Sequence, residues 1–208
     1  MRDFPADERK GIIDNIQNII YNNYFFMQEY LDVLDEDGKA TGKSASREEV
    51  HSHGVWHLTA QVLLMNLQGE ILVHRRARNK KYYPGLWDVY FGGHVLSGET
   101  PSQALIREAQ EETNLILKGK DFQFLFDIKK ADVQNDGNFI NNDFAQVYLA
   151  QKDFDLTELA LQVEEIEEVK FISLAKLQEI VTADGQDFIP REHEYELLFK
   201  ALKVNRQN

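Results

Sequence analysis

The residues best suited to chemistry are the acids between Gly93 and Leu115: Glu99, Glu108, Glu111 and Glu112, with Arg107 among them. Thr100 suits an N-cap, Pro101 the first helical position, and Asn114 the left-handed backbone at a helix end. One helix is therefore predicted over 100–114. Each helical residue turns about 100°, so Glu108, Glu111 and Glu112 fan across roughly a third of the circumference. Carboxylates that close repel one another and raise each other's pKa unless a cation lies among them. An octahedral, oxygen-preferring ion, Mg²⁺ or Mn²⁺, would relieve the repulsion. A solvated acidic face is the competing reading, and the helix alone does not separate the two.

The surroundings favour the ion. Arg107 precedes the first carboxylate, and Glu99 lies near the helix start, where an acid suits the dipole and can pair with an arginine. Gly92 and Gly93 leave backbone carbonyls free to approach a metal, with no side chain in the way. Charge supplies a further condition. The chain of 208 residues carries a net charge of -12, which disfavours nucleic acid as a partner and would also repel a small diphosphate. Such a substrate needs a local cationic patch, a metal ion, or both. Arg75, Arg76, Arg78, Lys80 and Lys81 form that patch, with an ordinary charged strand end as the alternative.

The rest of the chain must position these groups. At 208 residues and 43% hydrophobic content it suits one full-sized domain with an extension. A division into an extension, 1–29, and a domain, 30–208, is expected. Ile13, Ile16, Ile20, Tyr24 and Met27 mark a helical stripe in residues 6–28, which packs on the domain or on a second subunit, so a homodimer is one expected assembly. Strands are predicted in EYLDVL before a turn at Asp37-Gly38, in TAQVLLMN and ILVHRR around Gly69, in DVYFGGHV, in FQFLFDI and in FAQVYLAQ. Loops are predicted at GKSASREEVHSHG, with one helical turn, and at NDGNFINND. Helices are expected at LAKLQEIVT and HEYELLFKALK. Strands and helices interleave without strict βαβ alternation, so the fold class is α+β, a mixed sheet covered by helices. No apolar run approaches a membrane span, and there is no cysteine for a disulfide, thiolate site or thiol nucleophile. A soluble cytoplasmic protein is expected.

Written out, the order is Gly93, five residues, Glu99, seven residues, Arg107-Glu108, two residues, Glu111-Glu112. This resembles the Nudix box, G-x5-E-x7-R-E-U-x-E-E-x-G-U, where U is bulky and apolar. Ala109 is smaller than the usual apolar residue, and Asn114 replaces the final glycine, for which it is the nearest substitute in a left-handed cap. The resemblance implies an αβα sandwich and a metal-activated water attacking phosphorus in a nucleoside diphosphate derivative. It implies Glu108, Glu111, Glu112 and the carbonyl near Gly93 as metal ligands, with Glu99, Arg107 and Glu111 as catalytic residues. The stretch ILVHRRARNKKYYPGLWDVYFGGH also looks like the superfamily branch containing isopentenyl-diphosphate isomerase. That resemblance implies Arg76 and Lys80 as diphosphate-binding residues. It also sets His51, His57, His94 and Asp143 near the positions of a second metal site, with structural hydrogen bonding as the alternative. The isomerase needs a cysteine where this chain has Gly92, which favours the hydrolase over an isomerase-like enzyme or a non-catalytic binding module. Two features keep both readings. The run Glu164, Glu165, Glu167 and Glu168 is either a solvated face or the source of an extra base or ligand. Trp56, Tyr82, Tyr83 and Trp87 either stack on a nucleobase or pack the core.

Overall fold

The computed structural model describes residues 28–134, 139–183 and 187–205. The helix predicted over 6–28 lies outside these residues, save for Gln28. The first described element is a hairpin, β1 (Tyr30–Leu34) and β2 (Ala40–Ser46). Its turn falls where predicted, held by Asp35, whose Oδ1 accepts the N–H groups of Asp37 and Lys39 at 2.9 Å each. The segment GKSASREEVHSHG, predicted as a loop with one helical turn, is instead β2 followed by a longer helix, α1 (Arg47–His53). Ser46 and Glu49 close a reciprocal capping box, and Gly54 ends the helix in the left-handed region at φ 65°. The serines and glycine read as loop residues are thus the strand end and the two caps.

The main sheet has β3 (His57–Met65) at its centre, with β4 (Glu70–Arg76), β5 (Trp87–Asp88), β6 (Tyr90–His94), β7 (Phe122–Gln134), β8 (Phe139–Gln151) and β9 (Ile166–Ser173). β3 and β8 run parallel and the remaining pairs antiparallel, so the sheet is mixed, as expected. The strands β7 and β8 run well into the segment predicted as the loop NDGNFINND. Asparagines disfavour strands, but here tertiary contacts override propensity. Asn142 donates to the Gly54 carbonyl at 2.7 Å, and Asn141 donates to Asp143 at 2.7 Å.

β3 is apolar along its carboxyl half because both faces are covered. Ala60, Val62 and Leu64 pack with Leu105 and Ala109 of the helix α2 (Pro101–Thr113). Leu63 and Met65 pack with Leu177 of α3 (Leu174–Thr182) and with Leu198 and Leu202 of α4 (Glu192–Asn205). The result is the expected αβα sandwich. Among the described residues, no helix is long and apolar enough to cross a membrane.

One feature of the pairing places the site. On one side β3 is paired throughout with β8. On the other it meets β4 only at Met65, opposite Ile71, and then pairs with β6 from Thr59 to Leu63. The sheet therefore forks, with β4 leading away and β6 taking its place. Gly92, on β6 at the fork, has φ +123°, and a Cβ there would lie 2.3 Å from the Ala60 carbonyl oxygen. Gly92→Ala is expected to lower stability by roughly 2–4 kcal/mol, through backbone strain and a clash with main chain that cannot swing away. Urea unfolding checks this, and a midpoint equal to wild type would contradict the strain argument.

Candidate functional site

The helix α2 begins and ends as its sequence dictates. Thr100 and Gln103 form a capping box, Pro101 opens the first turn, and Asn114 closes the helix at φ 59° with its N–H on the Gln110 carbonyl. Ala104, Leu105 and Ala109 are buried against the sheet. This orientation turns Glu108 and Glu112 toward β6 and leaves Glu111 further out.

Arg107 ties the group together. Its Nε and Nη2 reach Glu99 at 3.0 and 3.2 Å, and Nη2 also donates to the His94 carbonyl at 3.0 Å. Its Nη1 reaches Glu108 at 2.7 Å and Glu111 at 3.3 Å. These five contacts match the five N–H donors of a guanidinium. Glu99 accepts in addition from the Leu96 N–H at 3.1 Å, which sets the loop before the helix. Glu112 reaches the fork, where its Oε2 accepts the Gly92 N–H at 3.3 Å. Gly93 makes room for Glu108, since a Cβ on it would stand 2.7 Å from the Glu108 Oε1.

The electrostatics follow from this enclosure. Burial pushes the Glu108 carboxyl up to about 7, against the pull of Arg107. Burial also lifts Glu112 well above the usual carboxylate range, and the charges of Glu108, Glu165 and Asp88 add to the shift. Glu111 is raised by burial too, although 41% of its side-chain area stays exposed. Removing carboxylates from water without matching positive charge is costly, and a bound cation would offset that cost.

The basic segment lies across the fork on β4 and the loop after it. Arg76 donates through Nε to the Tyr82 carbonyl at 3.1 Å, and Arg75 through Nε to that of Gly85 at 2.9 Å. Lys80 is ion-paired with Glu165, and Arg78 with Glu167 at 3.4 Å. The acidic run is therefore more than a solvated face, because two of its members meet the cationic patch. Trp87 is buried with Lys170 3.7 Å above its ring, which makes it a packing residue. Tyr82 stacks near Phe139, with ring centres 4.1 Å apart.

His51, His57 and His94 converge beside this centre. Their ligand nitrogens all lie within 4.8 Å of one another, and the Nε2 atoms of His51 and His94 are 3.0 Å apart. Burial and neighbouring imidazoles hold His51 down to about 3 and His57 down to about 4, so both are neutral at pH 7. Asp143 is not one of the three converging ligands, but it lies opposite His57 in the register of β3 and β8, and its charge acts on that imidazole. It accepts from Thr59 at 2.6 Å and Asn141 at 2.7 Å, and it lies 3.5 Å from the Lys130 ammonium. Sequence reasoning missed Lys130 and also Glu29, which reaches His94 at 3.5 Å and Arg47 at 3.2 Å. Neither stands in a recognisable motif. The buried pair of Asp88 with Arg191, at 2.8 Å, was missed for the same reason.

Comparison with known proteins gives a family and a fold. The family model described as NUDIX domain matches residues 55–195. Nudix hydrolase 3 of Arabidopsis thaliana is 32% identical over 185 residues, covering 86% of this chain. The match takes in 24% of that protein, so this chain spans about a quarter of its length. An isopentenyl-diphosphate Delta-isomerase of Cutibacterium acnes is 30% identical over 147 residues, covering 69% of this chain and 73% of its own. Among solved structures, DR0079 from Deinococcus radiodurans superposes with a TM-score of 0.61 at 21% identity, over 83% of this chain and 99% of its own.

The raised carboxyls set a pH dependence. A carboxyl whose folded pKa lies near 7 keeps its proton in the folded chain at pH values where the unfolded chain has lost it. The metal-free chain thus loses the stability contributed by Glu108 as pH rises from about 4.5 through about 7. A divalent ion must displace those protons at low pH and meets bare carboxylates at high pH. The increase in Tm on adding Mg²⁺ is therefore expected to be several-fold larger at about pH 8 than at about pH 5.5. Differential scanning calorimetry reads it, and equal increments would mean that the ion does not bind these carboxylates.

Proposed function

We propose that this chain, which belongs to the NUDIX domain family, hydrolyses a diphosphate linkage in a nucleoside diphosphate derivative with the help of Mg²⁺ or Mn²⁺. The observation that carries this reading is the enclosure of Glu108 and Glu112 beside one another, where burial raises both carboxyls and the Glu108 charge adds to the shift of Glu112. Arg107 is the cation already present, and its five donors are spent. Hard oxygen donors in this density suit a small divalent ion. Gly93 supports the fit, because any side chain there would fill the space against Glu108.

Glu108, Glu111, Glu112 and the Gly93 carbonyl would hold the ion. When bound, it would lower the pKa of the attacking water and offset charge developing on the phosphoryl oxygens. The chain's own residues prepare that chemistry. Arg107 and Glu99 lock the carboxylates into one arrangement before substrate arrives, so little reorganisation is left for the reaction itself. Glu111 keeps 41% of its side-chain area exposed against 18% for Glu108, which suits it to take a proton from water. Arg76 and Lys80, across the fork, would hold the diphosphate, with the Arg76 guanidinium aimed by the Tyr82 carbonyl. Residues 1–29 are read as an extension and 30–208 as the catalytic domain, through whose extension two copies could pair. The full burial of Leu31 and its bridge to Leu96 support a boundary before β1.

A second reading is an isomerase acting on an isoprenoid diphosphate, and the convergence of His51, His57 and His94 favours it. Against it stands Gly92, in a chain without cysteine, where the isomerase needs that residue. Release of phosphate and mononucleotide from a panel of nucleotide diphosphates, with Mg²⁺ and then with EDTA, separates the readings if isopentenyl diphosphate is included. Metal-dependent cleavage of a nucleotide is expected, and isomer formation without cleavage would overturn the proposal. Glu112→Gln keeps shape and removes charge, so kcat is expected to fall at least about a hundredfold with Tm retained. Arg76→Ala is expected to raise KM more than it lowers kcat, and an unchanged KM would remove Arg76 from the site.

A further inference from the structure

The sheet face away from α2 changes character along its strands. Its apolar half runs from Leu63, Tyr90 and Val147 up to Tyr195 and Leu198 of α4. One step further along β3, alternation puts Gln61 and then Thr59 on this face. The register sets Gly92 opposite Gln61 and Ala145 opposite Thr59, so small side chains surround the glutamine. A line of paired charges crosses the same region. Asp88 meets Arg191 at 2.8 Å, Arg191 meets Glu194 at 3.2 Å, Glu194 meets Lys130 at 3.8 Å and Lys130 meets Asp143 at 3.5 Å. The line begins beside β6 and ends on β7 and β8, so it spans β3, which lies between them.

Each charge in that line has an opposite partner, but three polar atoms beside it have none. Gln61 Oε1, the Tyr90 hydroxyl and Arg191 Nε are shut off from solvent without a hydrogen-bond partner among the described residues. Tyr90 is 4% exposed, and its ring centre lies 5.5 Å from the Arg191 guanidinium carbon. Buried donors and acceptors left unpaired are costly, and three gathered in one recess point to a partner the chain does not supply. Gln61 needs a donor, Arg191 needs an acceptor, and the tyrosine hydroxyl takes either. A sugar hydroxyl both gives and receives a hydrogen bond, whereas a hydrocarbon chain does neither. The recess adjoins the carboxylates through Gly92, which stands opposite Gln61 and donates its N–H to Glu112 at 3.3 Å.

We propose that the recess between the start of α4 and the sheet binds a neutral sugar carried by the diphosphate, whose hydroxyls are read by Gln61, Tyr90 and Arg191. This rests on the hydrolase reading and adds to it a choice among substrates. Diphosphates bearing a sugar are accepted. Isoprenoid diphosphates are rejected, because a hydrocarbon would fill the recess and leave all three atoms unpaired.

Calorimetric titration of the full-length chain tests it, in EDTA and again with Ca²⁺. The probes are ADP, 2′,3′-dideoxy-ADP, ADP-ribose and isopentenyl diphosphate. Isopentenyl diphosphate is expected to bind wild type at least about tenfold more weakly than the tightest sugar-bearing probe. If the nucleoside's own ribose fills the recess, dideoxy-ADP binds about tenfold more weakly than ADP. If a second sugar fills it, those two bind alike and ADP-ribose binds about tenfold tighter than either. Gln61→Leu and Tyr90→Phe are each expected to remove most of the sugar-dependent difference and to change isopentenyl diphosphate binding by less than about twofold. Their Tm is expected to be kept or raised, since each removes an unpaired buried polar atom. If Gln61→Leu fails to fold, Tyr90→Phe, which loses a single oxygen, decides. A sugar-dependent difference that survives in the variants overturns the proposal, as does isopentenyl diphosphate binding as tightly as the sugar probes. Wild type that binds none of the four overturns the diphosphate reading itself, whereas binding of all four without a sugar-dependent difference overturns this inference alone.

Discussion

Arg107 is the constraint on which the rest depends. Three glutamates within one turn and a half of a helix would repel each other apart if they were simply laid against a sheet. The guanidinium makes the arrangement tolerable by reaching Glu99, Glu108 and Glu111 together and anchoring itself on the His94 carbonyl. That anchor fixes the distance between α2 and the end of β6. Gly93 follows from it, because the strand comes so close to Glu108 that no Cβ fits between them. What Arg107 does not do is neutralise the cluster. Glu112 lies beyond it, at the fork, with the Gly92 N–H as its donor. The helix is held together by one cation and left in need of another.

The fork in the sheet gives that need an address. β3 keeps β8 along its whole length but exchanges β4 for β6 partway, so the acidic helix packs beside β6 while the basic loop follows β4. Under the hydrolase reading, a diphosphate with a divalent ion would meet the carboxylates of α2 and the cations of the loop after β4. The segment before β9 closes the far end, where Glu165 and Glu167 meet Lys80 and Arg78. In a chain of net charge -12, the run from Arg75 to Lys81 is thereby a local cluster of cations, two of them paired with acids before β9.

Legibility in the sequence divides by range. Everything local to α2 was readable: the caps at Thr100 and Asn114, the carboxylate face, and the partnership of Arg107 with Glu99 all arise within about twenty residues. The strand pair around Gly69 and the helix at LAKLQEIVT were readable for the same reason. β2, α1 and the start of β8 were not, because their serines and asparagines are spent on caps and on contacts with residues such as Gly54, 88 positions from Asn142. The histidines could be matched by position, but Lys130 beside Asp143 could not, since the two face each other only across the register of β7 and β8. Glu165 and Glu167 were two of four equivalent acids until the fold set them against Lys80 and Arg78.

The parallel pairing of β3 with β8 bears on how the protein is made. Thr59 and Asp143 bond across 84 positions, so the centre of the sheet cannot close until about two thirds of the chain has left the ribosome. By then the whole carboxylate helix has been synthesised, but its acids are still in water, where their affinity for protons and for metal is ordinary. Arg107, Glu108 and Gly93 can meet as soon as α2 lies on β6, but the cover that completes the burial of α2 comes from Ala150 and Ile166, made about forty to fifty residues later.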